Sequence, residues 1–173
     1  MSAAAPRFLV AGVGNIFLGD NAFGVEVIRY LSRHPLAPDI RLVDFGIRGM
    51  DLAYALLEGY DLTILVDATV RGGVPGTLYT LEPEIPEGLP WGVEAQGMSP
   101  ANVLALAARL GGPVGRLVLV GCEPSPCNPG ADPFDIPSCL SAPVARAIVP
   151  AAERVRALIE GARSGYRSML PKG

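Results

Sequence analysis

The sequence predicts a three-layer α/β sandwich, a five-stranded, mainly parallel twisted sheet with helices on both faces. Three observations predict it: short, nearly continuous apolar runs, segments of helical period between them, and brief connections. A strand buried on both faces reads as an unbroken apolar run, and parallel neighbours need a crossover, so runs that alternate with helices imply a covered sheet. The 173 residues suit a single domain, with a globular core over about 7–160 and a fraying tail over 161–173.

Residues 7–13, Arg-Phe-Leu-Val-Ala-Gly-Val, form the first strand and run into Gly12-Val13-Gly14-Asn15. Asp20 or Asn21 can cap a helix through about Arg33, with Phe23, Val27, Ile28 and Leu31 on one face and His34-Pro35 as its stop. Residues 40–43 read as the second strand, closing on Asp44 and Gly46, and a helix follows from about Met50 to Glu58, with Gly59 ending it. The third strand, 62–66, closes on Asp67. After the turn-rich 71–76, residues 77–81 have the β-branched and aromatic content of a fourth strand. Residues 82–97 and 124–137 are Pro-rich loops. Ser99-Pro100 starts a helix that stops at Gly111-Gly112, and 117–120 is the fifth strand. A last helix over about 142–160 is interrupted by Pro150.

Composition narrows the function. Half the residues are apolar and 18% are charged, which excludes a disordered chain. The net charge of −3, with no block of Lys or Arg, argues against nucleic acid. No uncharged apolar run is long enough for a membrane span and no signal peptide is evident, so a cytoplasmic protein is expected. Three cysteines, Cys122, Cys127 and Cys139, make neither a disulfide framework nor the CxxC pairs of a zinc site.

In sheets of this kind ligands bind beyond the carboxyl ends of the strands. Asp20, Asp44 and Asp67 all fall near that edge and are expected to converge there, where they could hold a cation or split acid and base roles. Each Asp could equally cap a helix or turn. Gly12-Val13-Gly14 lacks the further glycine of a dinucleotide fingerprint, because position 17 is Phe17. Neither Ser99 nor Thr69 has a histidine nearby in sequence, and the single histidine, His34, reads as a solvated turn residue.

Gly12-Val13-Gly14-Asn15, continued by Ile16-Phe17-Leu18-Gly19-Asp20-Asn21-Ala22-Phe23-Gly24-Val25, resembles the N-terminal motif of the nickel-iron hydrogenase maturation endopeptidases. Asp44-Phe45-Gly46-Ile47-Arg48-Gly49-Met50-Asp51-Leu52, Leu65-Val66-Asp67-Ala68, Pro75-Gly76-Thr77 and Val120-Gly121-Cys122-Glu123-Pro124 resemble that family's later blocks in the same order. Several blocks in register are more specific than any one.

The resemblance implies a cytoplasmic protease that removes the C-terminal peptide of a nickel-iron hydrogenase large-subunit precursor after nickel insertion. A catalytically silent homologue that binds the same subunit is the alternative. It further implies a metal-sensing set of Glu, Asp and His. In this sequence the Asp is Asp67, the Glu position is Asn21 and the His position is Gln96. Neutral amides are poorer ligands for nickel than carboxylate and imidazole, so any intrinsic site is expected to be weak. Asp20 and Glu94 are possible stand-ins. Asp44 is a second catalytic candidate beside Asp67, and Gly14, Asn15, Gly46 and Gly49 are expected to line the substrate site.

Overall fold

The computed structural model describes residues 6–83, 99–111, 114–126 and 139–169, so Glu94, Gln96 and Cys127 lie outside the described residues. In chain order the elements are β1 (Phe8–Val13), α1 (Phe23–Arg33), β2 (Ile40–Gly46), α2 (Gly49–Leu56), β3 (Leu62–Ala68), β4 (Leu78–Leu81), α3 (Pro100–Arg109), β5 (Arg116–Cys122), α4 (Ala142–Arg146) and α5 (Ile148–Met169). A 3-10 turn, Gly19–Ala22, leads into α1. The five strands form one sheet in the order β2-β1-β3-β5-β4, parallel except for β4, which pairs antiparallel with β5.

Strand alternation divides the core in two. Phe8, Val10, Leu62, Ile64, Val66, Val118 and Val120 face the layer of α1 and α5. Leu9, Ala11, Val13, Leu65, Leu117 and Leu119 face α2 and α3. Both faces of the central strands are therefore apolar, which is why their sequences show no polar alternation.

The helices follow the same logic. α1 buries Val27, Ile28 and Leu31, while Arg29, Ser32 and Arg33 stay in water. It ends at His34, whose exposed ring stacks on Tyr30 with centroids 4.2 Å apart. α3 starts at Ser99, whose hydroxyl accepts from the Asn102 N–H at 3.3 Å, with Pro100 in the first turn.

Two expectations at the C-terminus are corrected. The chain breaks at Ala147, between α4 and α5, rather than at Pro150, which lies in the first turn of α5, where an N–H would have no partner within the helix. The tail does not fray after Gly161, since α5 continues to Met169. Contacts hold it: Ala162 packs on the core, and Arg163 pairs with Asp39 while lying 5.5 Å from the Phe8 ring centroid.

Candidate active site at the switch point of the sheet

From β1 the chain crosses to β2 on one side and then returns to β3 on the other, so the strand order reverses between β1 and β3. A crevice opens at the carboxyl ends of such a strand pair. Here the start of α1 is set directly on it. A Cβ on Gly24 would lie 2.1 Å from the Val66 carbonyl oxygen and 2.2 Å from that of Val13, so only glycine permits the approach. Gly14 plays the matching part beneath the 3-10 turn. Its φ is +145°, and a Cβ there would lie 1.9 Å from the Asn21 carbonyl oxygen. These two glycines seat the turn that carries Asp20 and Asn21 over the strand ends.

Asp67 is the penultimate residue of β3, in register with Gly121 of β5. Burial raises its pKa from 3.8 to about 7, opposed by a hydrogen bond from the Ala68 backbone. The carboxyl group thus exchanges its proton near neutrality, the condition for acid and base work. Asn21 is exposed on the 3-10 turn, which packs against the end of β3.

The three aspartates do not converge as expected. Both oxygens of Asp20 are engaged elsewhere: Oδ1 accepts from the Ser141 N–H at 2.6 Å, and Oδ2 from the Ser125 N–H at 2.8 Å and the Ser141 hydroxyl at 2.9 Å. Asp20 is a clamp between the turn, the end of β5 and the start of α4, so it is not a stand-in ligand. Asp44 is exposed at the end of β2, where Gly12 of β1 is its register partner and Val66 is that glycine's partner on the other side. Alternation puts Asp44 on the α1 face with Leu42 and Asp67 on the α2 face with Leu65, two strand spacings (about 10 Å) apart. The two carboxylates therefore make no acid/base pair.

The four residues expected to line the substrate site build its turns. The Gly14 N–H donates to the Gly46 carbonyl at 3.0 Å, and the Asn15 side chain accepts from the Phe17 N–H at 2.9 Å. Gly46 has φ +53°, and the buried Gly49 donates to the Ile47 carbonyl at 3.1 Å to begin α2.

Two further residues stand out that sequence reasoning assigned no role. Glu123, 4% exposed at the end of β5, accepts from the Arg71 and Gly72 N–H groups at 2.9 and 3.1 Å and from the Tyr79 hydroxyl at 2.7 Å. That hydroxyl and the turn's N–H groups hold its pKa below the usual carboxylate range. Glu123 fixes the turn that follows β3. Thr69 has a buried hydroxyl with no partner among the described residues. Of the cysteines, Cys122 is buried, which pushes its thiol up to about 12, and Cys139 is exposed. His34 sits at the far end of α1, away from the carboxyl edge.

Among the described residues no three His, Cys, Asp or Glu side chains come together as a metal-holding group. The described residues give the switch point one carboxylate, Asp67, and one amide, Asn21, and these two by themselves do not make a nickel or zinc site.

A half-buried carboxyl group at the switch point of a covered parallel sheet defines an α/β class with its site on the strand ends. The family model for HycI, hydrogenase maturation protease, matches residues 25–157, and the chain belongs to this family. The hydrogenase expression/formation protein HupM of Azotobacter chroococcum is 33% identical over 130 residues, covering 72% of this chain and 61% of HupM. HupD of Rhodobacter capsulatus is 35% identical over 124 residues, covering 68% of this chain and 57% of HupD. The chain thus spans about three fifths of the length of these two curated relatives. The structure of the hydrogenase maturating endopeptidase HybD from E. coli superposes with a TM-score of 0.72 at 30% identity, covering 90% of this chain and 93% of that one.

Proposed function

We propose that this chain is an endopeptidase that removes the C-terminal peptide from a nickel-iron hydrogenase large-subunit precursor after nickel insertion. The observation that carries the reading is Asp67: a carboxyl group with a pKa of about 7, at the switch point of a fold shared with the maturating endopeptidase from E. coli. As the base, Asp67 takes a proton from the attacking water, and it returns that proton to the departing amine. Nickel belongs to the precursor, and with one carboxylate and the amides of Asn21 and Gln96 this chain contributes at most weak contacts to it. Asp44, two strands away, acts outside the proton transfer.

A protein substrate suits the rim. The loops after the neighbouring strands β2, β1 and β3 expose Ile47, Ile16, Phe17, Val70 and Val74, apolar side chains that a folded partner would cover. No helix among the described residues is long and apolar enough to cross a membrane. The amide at Asn21 favours one second reading, a silent homologue that binds the precursor without cutting it.

Incubation of the purified chain with nickel-loaded precursor, followed by intact-mass measurement, separates the two readings. The endopeptidase shortens the precursor and Asp67→Asn does not. Binding without shortening by the wild type would establish the silent homologue.

A further inference from the structure

Thr69 stands one residue past β3, and alone among the described residues it has a side-chain polar atom that is both shielded from solvent and without a hydrogen-bond partner. Its backbone is well held, since its N–H donates to the Cys122 carbonyl at 2.8 Å and extends the β3–β5 ladder by one step. Residues in register on parallel strands project to the same face. Gly121 is the register partner of Asp67, so β5 presents no side chain beside that carboxyl group. Thr69 fills the space: a Cβ on Gly121 would lie 2.6 Å from its Oγ1 and 2.8 Å from its Cβ. A strand spacing of about 5 Å then keeps Oγ1 within roughly 8 Å of the Asp67 Cβ.

A buried hydroxyl without a partner costs stability, and valine would fill the same volume without that cost. Nothing among the described residues uses the oxygen. Thr69 as a whole is only half-buried and leads into the exposed Val70 on the apolar rim. One rotation about χ1 moves the hydroxyl to another staggered position.

Building on the endopeptidase reading, we propose that Thr69 is a substrate-binding residue of the Asp67 site, its hydroxyl reserved for a hydrogen bond with a backbone peptide group of the bound precursor. The hydroxyl gains its partner only in the complex, so the cost carried by the free protein is recovered on binding.

The test compares wild type, Thr69→Val and Thr69→Ser in cleavage of the nickel-loaded precursor and in melting temperature. Thr69→Val is expected to lower kcat/KM at least tenfold while melting at or above the wild-type temperature, and Thr69→Ser to stay within about threefold of wild type. Cleavage by Thr69→Val within twofold of wild type overturns the proposal. So does a lower melting temperature, which would show that the hydroxyl is bonded within the fold. A wild type that binds but does not cut defeats the endopeptidase reading alone; the same comparison is then made on precursor Kd, where a tenfold loss in Thr69→Val supports the assignment and an unchanged Kd overturns it. A wild type that neither binds nor cuts overturns both.

Discussion

Asp20 takes two hydrogen bonds from Ser141, one from its backbone N–H at 2.6 Å and one from its hydroxyl at 2.9 Å, joining residues 121 positions apart. Ser125 adds a third at 2.8 Å and shares its own hydroxyl with that of Ser141 at 2.9 Å. This clamp ties the turn at the site to the end of β5 and the start of α4. Removing the carboxylate leaves two backbone N–H groups without acceptors, so Asp20→Ala is expected to cost about 2–4 kcal/mol in urea unfolding. Ser141→Ala should cost less, and the two losses should not add.

Gly24 faces two carbonyl oxygens at once, with no room for a Cβ beside either. Gly24→Ala should therefore lower stability by more than about 3 kcal/mol, because both oxygens belong to strand backbone that cannot give way. Gly59→Ala is a useful contrast. A Cβ there meets nothing within 4 Å, and the cost comes only from its φ of +76°. Thermal unfolding of the two variants measures the difference.

Asp67 ties stability to pH in the direction opposite to a paired carboxylate. Its pKa is 3.8 when unfolded and about 7 when folded, so across that window the native state binds the extra proton and stability falls as pH rises. Asp67→Asn should match wild type in melting temperature at the acid end and melt increasingly above it as the pH approaches neutrality. Cleavage needs the ionised base, so the wild-type rate should climb through about pH 7.

Glu123 shows the opposite sign. Its folded pKa is lowered, so its contribution to stability is present above the ordinary value of 4.5 and is lost as pH falls through the lower, folded value. Glu123→Gln sets an amide donor either against the Gly72 N–H or against the Arg71 N–H and the Tyr79 hydroxyl. Hydrogen exchange at Arg71 and Gly72 should quicken in this variant while exchange in β1 stays slow.

Restoring carboxylate and imidazole by Asn21→Glu with Gln96→His should raise nickel affinity at least tenfold in calorimetric titration, since both replace neutral amides with stronger donors. No gain would show that the two positions do not meet at Asp67.

The layers and the position of the edge were legible from the residues alone. Apolar runs such as 62–66 and the helical spacing of Val27, Ile28 and Leu31 depend only on near neighbours, so they specify strand and helix before any packing is known. The motif blocks likewise marked Asp67. Tertiary structure decided how the acids are used. Asp20 is spent on Ser125 and Ser141, Asp44 is turned to the opposite face from Asp67, and the Thr69 hydroxyl lies in a gap left by Gly121. Each outcome depends on partners tens of residues away, brought close by strand register, and register is a property of the assembled sheet that no local pattern of residues contains.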